Sequence, residues 1–338
     1  MQRIVTAALL ALLVLSCRPM KQLPSIPDAA YAKGVSAPFC GFIGHVAIVA
    51  GGANFPDKPL LEGGSKRVYS DIWACAGSGW ERIGFLPDSV AYGATFPVPE
   101  GLVLAGGQVD GKPSDKVYLL RLDEGFKAVL DTLPSLPVPS AEAGWSVYDG
   151  HLLIAASGSV FCCTVGDYEW RELAAMPEPL VQPVLYACDN GIFLWGGFNP
   201  QTLEVSPQGW MLSRDDPDVG WQPAPGVPDG GTFVGATAAV LPDGRLVVAG
   251  GVNRDIFARA LHNTPEDRIP YLSKEPAEYR FRSSVYVFDG SGWSEALQDG
   301  AFALAGPGVA AAADGALLIA GGEVKPGVRS PKIFSIKL

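Results

Sequence analysis

Short apolar runs alternate with glycine-rich breaks along this chain, and one run recurs in a constant form. Five copies are apolar segments that end in a glycine pair, and a further copy is degenerate. They are VAIVAGG (46–52), LVLAGG (102–107), LLIAASG (152–158, the degenerate copy), IFLWGG (192–197), RLVVAGG (245–251) and ALLIAGG (316–322). Apolar runs of this length bounded by turn residues predict β-strands. Their spacing is typical of β-propeller blades joined by loops of variable length.

A second strand follows each glycine break and carries aromatic side chains. The copies are YSDIWAC (69–75), KVYLLRL (116–122), SVFCCTV (159–165), QGWMLSR (208–214), SVYVFDG (284–290) and KIFSIKL (332–338). Trp80, Trp170, Trp221 and Trp293 then open a short further strand. The unit resembles the kelch repeat, in which glycine permits a sharp bend with positive φ and aromatic rings pack between blades. We therefore predict an all-β, six-bladed kelch-type β-propeller.

The two ends of the chain complete each other in this scheme. The last unit stops at Leu338 without its outer strand, and the segment MKQLPSIPDA (20–29) is similar to WERIGFLPDS (80–89), which supplies that strand elsewhere. We predict that residues 20–29 add the outer strand to the sixth blade. The propeller would then be closed by an N-terminal strand, and residues 20–338 would form one domain without an open edge.

The N-terminus predicts export. Residues 1–16 combine Arg3 with an apolar run that is too short to span a bilayer, as in a secretory signal peptide. The run ends in VLSC, which resembles the lipobox of bacterial lipoproteins and implies lipidation of Cys17, with residues 17–19 as a short tether. An ordinary cleaved signal is the alternative. We expect the periplasmic side of the cell envelope, either lipid-anchored, with the outer membrane favoured, or soluble, and membrane contact only through the lipid.

Composition narrows the possible partners. The formal net charge is −10, which argues against a nucleic-acid surface. Gly (41) and Pro (29) are abundant while 48% of residues are hydrophobic, as expected for many short strands and turns. Five further cysteines match no disulfide framework or zinc motif, and we predict that most are small core residues. They are Cys40, Cys75, Cys162, Cys163 and Cys188.

A polar residue follows the glycine break in every unit. The six are Asn54, Gln108, Ser159, Asn199, Asn253 and Glu323. Because these loops open on one face of a propeller, the residues are predicted to surround one mouth of the channel, where amides would suit a polyhydroxylated ligand. Simple stabilisation of turns by Asn and Ser is the alternative at each position.

Glu323 is the only carboxylate in this set, and it begins the segment EVKPGVR (323–329). Pro326 and Gly327 fit the central positions of a type II turn, which would bring Glu323 and Arg329 together on opposite legs of one loop. A carboxylate that exchanges a proton would then lie near a guanidinium that binds an anion. The alternative is a structural ion pair that braces the turn.

Three stretches resemble the bacterial N-acetylneuraminate epimerases, or sialic acid mutarotases. They are GGEVKPGVR (321–329), GGVNRDIF (250–257) and GGANFPDKPLLEGGSKRVYSDIW (51–73). The C-terminal position of the first stretch indicates the cyclically permuted branch of that family. The resemblance implies interconversion of the α and β anomers of N-acetylneuraminate, with Glu323 as proton acceptor and Arg329 as a catalytic or substrate-binding residue. It implies no cofactor and no metal. The candidate substrate-binding residues are Asn54, Gln108, Asn199, Asn253 and Arg254.

Other function classes fit less well. A copper oxidase on kelch blades needs a His/Tyr cage, and the three histidines here show no convergent spacing. A sialidase needs an arginine triad and Asp-box repeats. A non-catalytic kelch propeller that binds glycan or protein at the envelope remains the alternative.

The charged insertion Arg254 to Arg282 is predicted to cover the channel mouth, with a solvated surface loop as the other possibility.

Overall fold

The computed structural model of the protein describes residues 20–77 and 79–338. The predicted signal peptide, Cys17 and the tether lie outside the described residues. Six four-stranded sheets dominate the fold, and neighbouring strands within each run antiparallel. The predicted all-β propeller architecture is confirmed.

Each four-stranded sheet is one blade, numbered here by the position of its first strand in the chain. The strands are Phe39–Ile43, Val46–Ala50, Asp71–Cys75 and Glu81–Phe85 in blade 1; Ala94–Val98, Gly101–Ala105, Val117–Leu122 and Ala128–Leu133 in blade 2; Gly144–Tyr148, His151–Ala156, Ser159–Thr164 and Arg171–Ala175 in blade 3. They are Val184–Cys188, Gly191–Trp195, Gly209–Ser213 and Trp221–Ala224 in blade 4; Ala236–Val240, Leu246–Gly250, Ser284–Phe288 and Trp293–Gln298 in blade 5; Gly308–Ala311, Ala316–Ala320, Ile333–Lys337 and Met20–Leu23 in blade 6.

Short elements decorate this frame. The two-to-three-residue strands are Ala53–Asn54, Arg67–Val68, Val90–Ala91, Gln108–Val109, Lys112–Pro113, Glu323–Lys325 and Val328–Arg329. The α-helices are α1 (Arg254–Leu261) and α2 (Arg268–Leu272), and the 3-10 turns are Leu60–Glu62, Pro217–Val219, Pro228–Gly230, Pro265–Asp267, Pro276–Tyr279 and Gly300–Phe302. Within the described ranges, no helix is long and apolar enough to cross a membrane.

The first strands of the blades surround the central channel. Each contacts the first strand of the next blade, and that of blade 6 contacts that of blade 1. Aromatic side chains fill the space between blades, as predicted. Trp195 of blade 4, for example, packs edge-on against Phe288 of blade 5 with ring centroids 4.7 Å apart. Such pairs contribute roughly 0.5–1.5 kcal/mol beyond the area that they bury.

Both ends of the chain meet in blade 6. Met20–Leu23 pairs antiparallel with the last strand, with Met20 opposite Ile336 and Leu23 opposite Ile333, so the predicted pairing is found. Blade 6 is also joined to blade 1 by a backbone hydrogen bond of the same kind as those between other neighbouring blades. The N–H of Gly322 donates to the Val35 carbonyl at 2.8 Å, as Gly107 donates to Ser140 at 2.8 Å between blades 2 and 3. The junction at the chain ends therefore repeats the geometry of the internal ones.

The glycine pairs have the backbone conformation that the sequence predicted. Gly321 and Gly322 adopt φ of 68° and 95°, and every other pair also lies at positive φ. At the degenerate copy the pair is Ser157 and Gly158, with φ of 50° and 85°. A Cβ at Gly321 would lie 2.2 Å from the Val35 oxygen, so glycine there permits close approach of two blades as well as the bend.

Alanine at Gly321 is therefore expected to destabilise the domain. Gly44 is the matched control, because its φ of 59° is similar but a Cβ there would meet nothing within 4 Å. We expect Gly321→Ala to lower the free energy of unfolding by about 2 kcal/mol more than Gly44→Ala, since only the former adds a backbone clash. Urea denaturation of the two variants measures the difference. Equal losses would show that the close approach is unimportant.

The five cysteines within the described ranges are free. Cys40, Cys75, Cys162 and Cys163 are buried, which confirms their predicted place in the core, and Cys188 is half-buried. Burial raises the pKa of the Cys40 thiol to about 12. A thiol with so high a pKa is a poor nucleophile at neutral pH.

Candidate active site

Six residues form a belt around one mouth of the channel, one shortly before the first strand of each blade. The members of this channel belt are Ala37, Tyr92, Glu142, Gln182, Gly235 and Gly306, all at positive φ between 50° and 70°. Each backbone N–H donates to the preceding member around the ring. The bonds are Ala37 to Gly306 (2.7 Å), Tyr92 to Ala37 (2.9 Å), Glu142 to Tyr92 (2.8 Å), Gln182 to Glu142 (3.0 Å) and Gly306 to Gly235 (2.6 Å). The side-chain oxygen of Gln182 accepts the sixth bond, from Gly235, at 2.8 Å.

The belt surrounds a cavity of about 290 Å³. Three belt members with large polar side chains line it, namely Tyr92, Glu142 and Gln182, and the other three are alanine or glycine. Non-glycine residues in the left-handed region are strained by roughly 1–3 kcal/mol each and persist only where their surroundings fix them. The cavity is near the lower end of the size range of small-molecule sites.

Glu323 reaches the same cavity from blade 6. It begins a two-stranded hairpin in which it stands opposite Arg329, with Pro326 and Gly327 between the strands and Gly327 at φ 82°. The predicted juxtaposition of Glu323 with Arg329 is thus confirmed, and the positive φ of Gly327 fits the predicted type II turn. The backbone of Glu323 also pairs with Ala305, beside the belt, through bonds of 2.7 and 2.9 Å. Both attachments fix the carboxylate at the rim of the cavity.

Two groups of its own hairpin donate hydrogen bonds to the Glu323 carboxylate. Its Oε1 accepts hydrogen bonds from the Gly327 N–H at 3.1 Å and from Nη1 of Arg329. The Arg329 side chain is only 3% exposed, donates from Nε to the Ala53 carbonyl at 3.2 Å and lies over the Phe55 ring. This burial corrects the expectation that Arg329 offers its fork to a substrate anion. The ion pair considered as the alternative is the arrangement found, and Arg329 positions Glu323.

Removal of the guanidinium should therefore affect stability as well as chemistry. We expect Arg329→Met to lower the free energy of unfolding by about 3 kcal/mol, because it leaves the partly buried Glu323 carboxylate without its counter-charge and removes one of the donors to the Ala53 carbonyl. Arg67→Met is the control, since the Arg67–Asp57 pair is solvent-exposed and such pairs contribute about 0–1 kcal/mol. Denaturant titration compares the two. Equal small losses would contradict the assigned bracing role.

The other residues that follow glycine breaks do not line the central cavity, which corrects the predicted polar ring. Asn54 is fully buried: its Nδ2 donates to the Ala30 and Gly34 carbonyls at 2.8 Å each, and its Oδ1 accepts from the Tyr69 hydroxyl at 2.7 Å. Asn199 caps a turn by accepting from the N–H of Gln201 at 2.9 Å. Both are structural, and neither has the predicted substrate-binding position.

Three more candidates have similar local partners. Gln108 accepts a hydrogen bond from Lys66 at 3.1 Å, and the Ser159 hydroxyl donates to Glu172 at 2.7 Å. Asn253 is the N-cap of α1 and accepts from Ile256. Asn253 and Arg254 line a separate cavity, and Arg254 pairs with Asp255. The physical reason is radial position: the connections that lead into the first strands form the rim, and of the six polar residues that follow glycine breaks only Glu323 reaches it.

The insertion Arg254 to Arg282, called the lid below, packs against the loop that carries Glu323. The Lys325 ammonium donates to the Lys274 carbonyl at 2.9 Å, and Phe257 of α1 lines the central cavity. Burial, and then the charge of Glu323, raises the pKa of Tyr271. The lid thus lies where it was predicted, beside Glu323, and it begins with the helix α1.

The charged groups of this hairpin act on the Tyr92 phenol. Burial raises the pKa of its phenol; Arg329 lowers it, Glu323 and Glu142 raise it, and a hydrogen bond with Ser36 lowers it. Lys66 lies over the ring, 5.0 Å from its centroid.

Sequence reasoning missed Tyr92, Glu142 and Gln182. Alignment of the six units on the first strand would have shown that large polar residues replace alanine or glycine at one position.

Metal ligands do not converge here. Among residues 20–77 and 79–338, no group of three or more His, Cys, Asp or Glu side chains has a geometry that would hold a metal ion. The polar side chains that line the central cavity include two carboxylates, a phenol and an amide, namely those of Glu142, Glu323, Tyr92 and Gln182.

Comparison with known proteins supports this reading of the fold. A protein-family model described as N-acetylneuraminate epimerase matches residues 133–338. The N-acetylneuraminate epimerase of Vibrio vulnificus is 34% identical over 119 residues, which cover 32% of this chain and 31% of that protein. The enzyme of the same name from Brucella suis is 34% identical over 114 residues, covering 31% and 29%. The match thus spans less than a third of these relatives. The solved structure of YjhT superposes with a TM-score of 0.63 at 12% identity, covering 94% of this chain and 97% of that one.

Proposed function

Because the chain belongs to the N-acetylneuraminate epimerase family, we propose that it interconverts the α and β anomers of N-acetylneuraminate at the channel mouth. The enzyme class is an isomerase, a carbohydrate mutarotase, and the substrate is a small sugar acid. The single observation that carries the proposal is the Glu323 carboxylate, fixed by its hairpin at the rim of a cavity of about 290 Å³.

Interconversion of the two anomers requires proton transfer to and from oxygen atoms of the sugar. A base removes the proton of the anomeric hydroxyl while the bond between the anomeric carbon and the ring oxygen breaks, and the ring oxygen takes a proton. The open keto form rotates about the bond next to its carbonyl carbon and recloses on the other face. A positioned acid or base contributes about 10²–10⁴-fold to such steps. Glu323 supplies the base, with Oε1 held by Gly327 and Arg329.

The structure supports a site that shelters this exchange. Polar side chains of the belt line one part of the cavity, and small residues leave room elsewhere. Phe257 of the lid adds an aromatic ring to the lining of the cavity. A sugar has apolar faces and polar edges, so a cavity lined by an aromatic ring as well as by amide and carboxylate groups suits it.

Saturation transfer NMR between the two anomers of N-acetylneuraminate tests the proposal directly. Addition of the purified protein at micromolar concentration should increase the exchange rate in proportion to protein concentration. D-glucose, a neutral aldose, is the control and should exchange at its spontaneous rate. A protein that binds the sugar acid by titration but leaves its exchange rate unchanged would be a binding module and would refute the mutarotase proposal.

We also propose that the protein works at the periplasmic side of the envelope, held by a lipid on Cys17. The support is the sequence of residues 1–17, which lie outside the described part of the chain. Fractionation of cells that express the parent chain or Cys17→Ser tests this. The parent should sediment with membranes and the variant should be soluble in the periplasm, whereas a parent chain that is wholly soluble would refute the anchor.

A further inference from the structure

We propose that Tyr92 is the general acid of the reaction, donating the proton that the ring oxygen takes while Glu323 removes the proton of the anomeric hydroxyl. This inference rests on the proposed function and completes it, because ring opening requires two proton transfers and the hairpin supplies only one carboxylate. Tyr92 lines the cavity into which Glu323 reaches.

Tyr92 is held in place from its backbone. Its N–H donates to Ala37 at 2.9 Å and its carbonyl accepts from Glu142 at 2.8 Å, which fixes φ at 66°. A left-handed tyrosine is unusual and costs about 1–3 kcal/mol. The belt thus fixes the backbone that carries the phenol, and the ammonium of Lys66 lies over the ring. A fixed donor is what proton transfer in a small cavity needs.

The charges around the phenol fit a donor. Burial raises its pKa above the ordinary value, and Glu323 and Glu142 add to that effect while Arg329 opposes it. The phenol therefore carries its proton at neutral pH and can give it to an oxygen that develops negative charge. The same interactions show that Tyr92 lies within electrostatic reach of the pair formed by Glu323 and Arg329.

Other cavity and lid residues fit the role less well. The Gln182 side-chain oxygen is engaged by Gly235, and an amide has no proton to exchange at neutral pH. Tyr271 lies near Glu323 but in the lid, outside the residues that line the cavity. Glu142 lines the cavity and can in principle carry a proton, so the experiment includes it.

Every proton and bond in the proposed ring opening and closure is accounted for. The anomeric O–H gives its proton to Glu323, the electron pair of that bond forms the carbonyl, and the bond to the ring oxygen breaks. The ring oxygen takes the phenolic proton, which leaves a carboxylic acid at Glu323 and a phenolate at Tyr92. After rotation the phenolate takes back the hydroxyl proton as this oxygen attacks the carbonyl carbon, and Glu323 returns its proton to the new anomeric oxygen. Both residues end as they began.

The test compares Tyr92→Phe with Tyr118→Phe, a matched change on the third strand of the same blade and outside the central cavity. Phenylalanine keeps the ring and every backbone bond of the belt, so the melting temperature should stay close to that of the parent. We expect Tyr92→Phe to lower kcat for anomer exchange by about 10²-fold with KM changed by less than about threefold. Tyr118→Phe should match the parent.

Two further variants separate proton donation from packing. Tyr92→His restores a proton donor and should recover part of the lost kcat, which a purely structural role would not predict. Glu142→Gln tests the other cavity side chain that can carry a proton. The inference is overturned if Tyr92→Phe keeps the parental kcat, or if Glu142→Gln loses activity and Tyr92→Phe does not. A parent protein without any exchange would instead refute the proposed function.

Discussion

Exchange of Glu323 for glutamine is expected to slow anomer exchange by about 10²–10⁴-fold while the fold is preserved. Glutamine has the size of glutamate, and its amide oxygen can accept the hydrogen bonds that Gly327 and Arg329 donate to Oε1. The variant thus keeps the hairpin and removes only the ability to take a proton. Rates come from saturation transfer between the anomer signals.

Glu81→Gln provides the control for this change. Glu81 lies in the outer strand of blade 1, and its ion pair with Lys127 is exposed to solvent. We expect parental rates for Glu81→Gln and a folded Glu323→Gln with a lower melting temperature than the parent, because Arg329 keeps a hydrogen-bond acceptor but loses its counter-charge. Parental exchange rates in Glu323→Gln would remove Glu323 from the mechanism.

Removal of the N-terminal segment is expected to destabilise the whole domain. The segment pairs Met20–Leu23 with the last strand, and its Pro24 carbonyl accepts from the Trp80 indole at 2.9 Å. Its Ala30 carbonyl accepts from Asn54 at 2.8 Å, and Ile26 is buried in the core of the same region. A chain that starts at Tyr31 would leave buried donors unpaired and expose the edge of blade 6.

A chain that starts at Met20 is the control for this deletion. Loss of the segment should cost about 3 kcal/mol or more, from unpaired polar groups and lost apolar burial. That corresponds to a melting temperature lower by about 5 °C or more, in a single transition shared by all blades. If the two chains melt at the same temperature, the N-terminal strand contributes nothing to closure of the ring.

The sequence predicted the second and third strands of each blade to within about two residues, because the second strand ends at a glycine break and the third follows that break as a run that carries aromatic side chains. The first strands were not identified. Gly308–Ala311 and Ala236–Val240, for example, consist of small residues because they line the channel, and such segments lack the hydrophobic contrast that reveals a strand. Their position follows only from closure of the ring.

The candidate site was likewise predicted only in part. The pairing of Glu323 with Arg329 and the place of the lid depend on local sequence, and the structure confirms both positions. The polar ring depended on radial position, which spacing along the chain does not reveal, so Asn54 and Asn199 proved to be structural. The belt was missed because nothing local favours a left-handed Tyr92. Its conformation is set by hydrogen bonds to neighbouring blades that are distant in sequence.

A crystal structure of Glu323→Gln with N-acetylneuraminate tests the account most directly, because it locates the sugar and shows which anomers the site accepts. The account predicts one sugar in the cavity of about 290 Å³ inside the belt, with the anomeric hydroxyl within hydrogen-bond distance of residue 323 and the ring oxygen facing Tyr92. Density for both anomers at that position would agree with the proposed exchange. A sugar bound elsewhere, such as the cavity beside Arg254, with the central cavity empty, would contradict it.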